Sequence, residues 1–228
     1  MKNVCIIPAR GGSKRIPLKN IIDFAGKPLM VHSIEAAQKS GLFGDDIYVS
    51  SDSEQILDVA VKYGAKPLRR PDAISGDKAN LEDATLDLLK QLAPKKFDHL
   101  CMMMPASPLV EGDDLKQSYK ELMANKKSNC SMSVVKYPHY PFWALQEKKG
   151  FISFFFKKYL IDSKLLPKDI YCPIAAIRWV EVKNFLKEKK FYGKKLSKFV
   201  MPFEKSADID TYEDIEFAEK LYKLMKMK

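Results

Sequence analysis

VCIIPARGGSKRIPLKN, residues 4–20, decides the fold. It opens on an apolar run from Val4 to Ile7, closed by Pro8, which has no N–H to give to a central ladder. Arg10-Gly11-Gly12-Ser13-Lys14-Arg15 follows, and then Pro17, Lys19 and Asn20. A buried strand that runs straight into a glycine-rich cationic loop is a device for holding an anion. Glycines let backbone N–H groups approach phosphate oxygens, Ser13 offers a hydroxyl, and Arg10, Lys14, Arg15 and Lys19 supply charge. The spacing is not that of a Walker A loop, because Gly12 meets Ser13-Lys14 directly, and no GxGxxG is present.

The chain downstream alternates strand and helix. Ala25-Gly26-Lys27-Pro28 signals a turn, and a helix from there ends near Ser40-Gly41. A second strand is expected over Asp46–Asp52, a helix to Tyr63, and a third strand over Lys66–Arg69 that ends in a second cationic loop, Arg69-Arg70-Pro71-Asp72. Leu81, Ala84, Leu88 and Leu92 recur at helical spacing. Strands follow over Phe97–Met103 and Cys130–Lys136, the first ending in the rigid turn Met104-Pro105-Ala106-Ser107-Pro108. Ile174–Ile177 resumes the core, Val180–Leu186 reads as helical, Lys198–Met201 as a last strand, and a terminal helix follows Thr211. This order predicts a doubly wound, mostly parallel α/β sheet, with both cationic loops on the rim where strands end and ligands bind.

Composition narrows the function. With 228 residues, 46% of them hydrophobic, the chain suits one α/β domain spanning 1–228. Its apolar runs fall short of the roughly 20 residues of a membrane span or of a signal-peptide core, so a cytoplasmic protein is expected. Cys5, Cys101, Cys130 and Cys172 show no metal-ligand spacing and read as reduced thiols. The formal net charge of +10 is spread along the chain and comes without a nucleic-acid-binding motif. It suits the steering of anionic small molecules. Residues 137–171 are unusually aromatic, including Tyr140, Trp143, Phe151 and Phe154-Phe155-Phe156, a composition that marks an interface. Near the C-terminus, Asp208 and Asp210 lie two apart; in an extended segment they project to one side and can hold a magnesium ion. The same residues also read as an acidic helix start.

Pro8 to Asn20 resembles the N-terminal signature of the CMP-sialic acid synthetases (acylneuraminate cytidylyltransferases). Arg70-Pro71 is similar to that family's Arg-Pro, Pro105-Ala106-Ser107-Pro108 to its Gln-Pro-Thr-Ser-Pro turn, and Asp208-Ile209-Asp210-Thr211 to its metal-binding Asp-Ile-Asp. The resemblance spans nearly the whole chain in consistent order. It implies a nucleotidyltransferase in which the anomeric hydroxyl of an acidic nine-carbon sugar attacks the α-phosphorus of CTP. It further implies nucleotide contacts at Ala9, Arg10, Gly11, Gly12, Ser13, Lys14, Lys19, Asn20 and Arg70. Catalytic charge would come from Arg10, Lys14, Asp208 and Asp210, with Mg2+ or Mn2+ on the two aspartates. Sugar contacts would fall at Met104, Ser107, Arg178, Phe191 and Tyr192, and residues 137–171 would form a homodimer.

The departures fall on the sugar side: Met104 replaces the family's Gln, Pro173–Arg178 replaces Pro-Asn-Gly-Ala-Ile-Tyr, and Trp143 stands where a lysine is expected. A modified nonulosonate such as pseudaminic or legionaminic acid is therefore the expected acceptor. KDO cytidylyltransferases, sugar-1-phosphate nucleotidyltransferases and a non-catalytic nucleotide-binding homologue are the alternatives.

Overall fold

The computed structural model describes residues 1–76, 79–160 and 166–227. Its centre is a seven-stranded sheet in the order β11-β7-β10-β6-β1-β4-β5. The strands are β1 (Asn3–Pro8), β4 (Ile47–Ser51), β5 (Lys66–Arg69), β6 (His99–Met103), β7 (Cys130–Lys136), β10 (Tyr171–Glu181) and β11 (Leu196–Val200). All neighbours pair parallel except β10, which runs antiparallel to both β6 and β7. The doubly wound, mostly parallel sheet expected from the strand–helix alternation is thus present.

Period-two burial divides β1 between two cores. Cys5 and Ile7 face one side with α1 (Leu29–Ser40), α2 (Glu54–Lys62) and α4 (Gly112–Ala124). Val4 and Ile6 face the other, with α3 (Leu81–Gln91) and α5 (Val182–Glu188). All six residues of β1 are buried, as a strand covered on both faces requires. The chain leaves β1 first toward β4 and β5 and later returns to β6 on the opposite flank, so the order reverses between β1 and β6. Open α/β sheets hold their ligands at the carboxyl ends of strands beside such a reversal.

A third apolar cluster builds the floor under that crevice. Ile16, Phe24, Leu29, Ala106, Leu109 and Ile209 pack with Ala218 of α6 (Tyr212–Lys226). It joins three stretches far apart in sequence. The short strands β2 (Asp23–Phe24) and β3 (Lys27–Pro28) form a hairpin whose turn residues, Ala25 and Gly26, have φ of 51° and 84°.

One local expectation is corrected. Val180 is in a strand, paired with Leu100 and Cys130, and the helix begins at Val182. The helically spaced apolar residues Val182, Phe185 and Leu186 begin after it, and strand pairing on both sides extends β10 through Glu181. Within the aromatic stretch, β8 (Leu145–Lys148) and β9 (Phe151–Phe154) form a separate two-stranded hairpin with Lys149 and Gly150 at positive φ in its turn. Residues 161–165 of that stretch lie outside the described residues.

Candidate active site

The loop after β1 is held by backbone and carboxylate contacts before any ligand arrives. The Ala9 N–H donates to Ser50 O at 2.9 Å, and Ala9 is buried. The Gly11 N–H donates to Asp52 Oδ1 at 2.8 Å. A Cβ on Gly11 would lie 3.0 Å from Ser53 Cβ, so glycine here permits the loop to approach the end of β4; Gly12 faces open space. Asn20 is buried and donates its amide to Arg10 O at 2.9 Å, so it braces the loop from beneath. Ser13 N–H closes a tight bend onto Gly11 O. Sequence inspection had no signal for Asp52, which reads there only as a strand end.

Both cationic loops meet on one rim. Arg10, Gly12, Lys14, Asp52, Asp72 and Ser75 line an open cavity of about 420 Å³. Beneath it, the buried Arg70 guanidinium donates to Ser50 Oγ at 3.1 Å and Ser50 O at 2.7 Å. Burial holds its pKa below the usual arginine value and Arg10 adds to that, while Asp52 and Asp87 oppose it. Arg10 and Arg70 are therefore near enough to repel, an arrangement that favours an anion.

The aspartates reach the same loop. Ile209 is fully buried, and its N–H donates to Ala106 O at 2.9 Å, which pins the segment to the turn after β6. Lys19 Nζ donates to Ile209 O at 2.6 Å and lies 3.0 Å from Asp210 Oδ1, and Arg15 reaches Asp210 Oδ2 at 3.2 Å. Asp208 is exposed by surface area, and its carboxyl is raised above the usual carboxylate range. The surrounding protein contributes most and the charge of Asp210 next, against Lys19 and Arg15. Thr211 and Asp214 form a capping box that starts α6 directly behind the pair.

Among the described residues no group of three or more His, Cys, Asp or Glu side chains gathers as a closed cage. The carboxylates of Asp208 and Asp210, whose charges oppose each other, fit the habit of magnesium, which takes one or two carboxylates and completes its shell with water and substrate phosphate.

The expected sugar residues divide. The Met104 N–H donates to Ala176 O at 3.1 Å and its carbonyl accepts from Ser33 Oγ, which fixes the turn at the crevice. Ser107 is only 4% exposed and closes that turn. Phe191 is 2% exposed and packs against Phe185. Tyr192 is exposed, and the Arg178 guanidinium carbon lies 5.5 Å from its ring centroid. Arg178 Nε is buried without a hydrogen-bond partner, a donor left for something else.

A family model described as cytidylyltransferase matches residues 4–141. This chain belongs to the cytidylyltransferase family. The cytidylyltransferase is 42% identical over 228 residues to the pseudaminic acid cytidylyltransferase of Campylobacter jejuni subsp. jejuni serotype O:23/36 (strain 81-176), covering 98% of this chain and 97% of that one. It is 32% identical over 237 residues to the CMP-N,N'-diacetyllegionaminic acid synthase of Legionella pneumophila, covering 98% and 97%. Among solved structures, a CMP:2-keto-3-deoxy-manno-octonic acid synthetase complexed with CTP superposes with a TM-score of 0.71 over 99% of this chain and 100% of that one. At 15% identity that likeness speaks to the fold alone.

Proposed function

We propose that this cytidylyltransferase activates an acidic nine-carbon sugar with CTP, and that the sugar is pseudaminic acid or a near relative. The anomeric hydroxyl attacks the α-phosphorus, and pyrophosphate leaves. The observation that carries the proposal is the contact of Lys19 with Ile209 and Asp210, which joins the cationic loop and the carboxylate pair in one crevice. The full-length similarity to a pseudaminic acid cytidylyltransferase supports the choice of sugar.

The chemistry is chiefly positioning and charge neutralisation. Arg10 and Lys14 face the triphosphate across the open cavity, with Arg70 behind them. Asp208 and Asp210 would hold Mg2+ or Mn2+, which neutralises phosphate charge and stabilises the leaving group when bound. Lys19, which pairs with Asp210, would also lie within reach of a nucleotide held by the loop. Arg178, whose buried Nε has no hydrogen-bond partner, is the proposed contact for the carboxylate of the sugar.

The arm supports a homodimer. Phe151 is 80% exposed, Ile152 70% and Phe155 60%, on a hairpin that leaves the main sheet. Apolar side chains exposed together on this scale belong to an interface, and a second copy of the chain is the proposed occupant. Replacing Phe151 and Ile152 with serine is expected to convert a dimer to monomer on gel filtration; monomer from the unaltered chain at micromolar concentration contradicts the proposal. A cytoplasmic location fits four cysteines present as free thiols and described helices too short or too polar to cross a membrane.

Pyrophosphate release with CTP, Mg2+ and a panel of nonulosonic acids tests the whole assignment. Release with pseudaminic acid above the other sugars is expected. Release only with KDO overturns the choice of sugar, and CTP binding without release under any sugar overturns the enzymatic assignment.

A further inference from the structure

We propose that Lys205 is a positioning residue for the Asp208–Asp210 pair, so that its charge sets how tightly a divalent ion is held there. This rests on the metal-binding assignment given under Proposed function.

The segment that carries the aspartates leaves the sheet at Met201, whose N–H donates to Val134 O at 2.8 Å, and is pinned again at Ile209. Between those backbone anchors the chain crosses open ground as a short 3-10 turn, Phe203–Lys205. Lys205 ties this crossing to the body. Its Nζ lies 2.9 Å from Glu111 Oε2 and 2.8 Å from Asp114 Oδ2, and its side chain is only 15% exposed. Burial works against the charge, but the two carboxylates outweigh it and raise the amine above its ordinary pKa.

Those carboxylates do other work. Glu111 and Asp114 form the capping box of α4, with Glu111 N–H donating to Asp114 Oδ2 at 2.8 Å. Glu111 also accepts from Lys226 at the end of α6, 3.3 Å away. Lys205 thus fastens the crossing to the first turn of α4, itself tied to the far end of the helix that follows the aspartates. Only Ser206 and Ala207 separate Lys205 from Asp208, so slack at Lys205 is passed along the backbone to the carboxylate. Partners that orient metal ligands commonly matter by about 10–100-fold in metal affinity. Lys205 holds the backbone and not the carboxylate itself, which places it at the low end of that range. A tether that served only stability would lower the unfolding temperature and leave metal affinity alone.

Calorimetric titration of the full chain separates the two. CTP is titrated with EDTA present and again with Mn2+ in excess, and the ratio of the two dissociation constants reads the contribution of the ion. Lys205→Met is expected to reduce that ratio about tenfold while leaving metal-free CTP affinity within about twofold. Lys205→Arg is expected to restore most of it. Should Lys205→Met fail to fold, Glu111→Gln, at a half-exposed carboxylate of the same tether, is expected to move the ratio in the same direction. An unchanged ratio in a folded Lys205→Met or Glu111→Gln protein, with Asp210→Asn losing it, overturns the role of Lys205. A ratio near one in the unaltered protein, or one untouched by Asp210→Asn, instead overturns the metal assignment beneath it.

Discussion

Replacing Lys19 with methionine tests the contact that joins the two halves of the site. Methionine keeps most of the apolar stem and removes the charge. The lost interactions are the bond to Ile209 O at 2.6 Å and the pair with Asp210 at 3.0 Å. At 3.0 Å two unit charges interact by about 5 kcal/mol at an effective dielectric near 20 and about 1.4 kcal/mol in water. The Lys19 side chain is 16% exposed but that of Asp210 is 47% exposed, and Arg15 also reaches Asp210. The pair therefore falls toward the solvent limit, at about 1 kcal/mol net. The bond to the Ile209 carbonyl, donated by a charged group, adds about 1.5 kcal/mol. Urea unfolding of metal-free protein should then show Lys19→Met destabilised by about 2.5 kcal/mol, a fall of about 5–10 °C in Tm. A double-mutant cycle with Asp210→Asn isolates the pair, and a coupling of about 1 kcal/mol is expected. Coupling below about 0.3 kcal/mol at unchanged denaturant slopes refutes the reasoning.

Removing one transition-state charge contact typically costs about 2.7–4 kcal/mol, so Arg10→Ala and Asp210→Ala should each lower turnover by roughly a hundredfold or more; near-normal pyrophosphate release by either removes that residue from its role. The two adjacent glycines should behave differently. Gly11→Ala drives a methyl to 3.0 Å from Ser53 and should lower stability, whereas Gly12→Ala meets nothing in the free protein and should raise KM for CTP at unchanged Tm. Asp208 supplies a pH prediction. Its folded-state pKa is raised, so its ionised form burdens the metal-free fold at neutral pH, and that burden disappears as pH falls through the raised value toward the ordinary carboxylate range. Asp208→Asn should therefore unfold at a higher temperature than the unaltered, metal-free protein at pH 7, with the gap closing in acid. Equal Tm values across that range count against the raised pKa.

Much of the architecture was legible because local signals and tertiary packing agree. Val4 to Ile7 is a continuous apolar run, and it lies in the central strand covered on both faces. Lys66–Arg69 and Cys130–Lys136 are strands at the boundaries read from sequence. Where local and tertiary preferences part, sequence misleads. Sequence reading carries Val180 into the helix that begins at Val182, yet two neighbouring strands claim it. The Lys149-Gly150 turn carries its own hairpin signal, which the aromatic richness around it obscures.

The site shows the same division. Arg10, Lys14, Asp208 and Asp210 are exceptional as residue types in a loop, so composition points to them. Asp52, Lys205 and Ile209 act by holding others, and each is ordinary in its local sequence. Their parts appear only once the Gly11 amide, the α4 cap and the Ala106 carbonyl are brought beside them. Phe191, read as a sugar contact by resemblance, packs in the core against Phe185, which local sequence does not show.

The central claim is that one nucleotide is gripped between the loop after β1 and the aspartates before α6. A crystal of the protein grown with CTP and Mn2+, with the ion located by its anomalous scattering, tests it most directly. The expected map has the ion on Asp208 and Asp210 and phosphates against Arg10 to Lys14. A triphosphate bound with the ion far from both aspartates, or a nucleotide seated away from that loop, contradicts it.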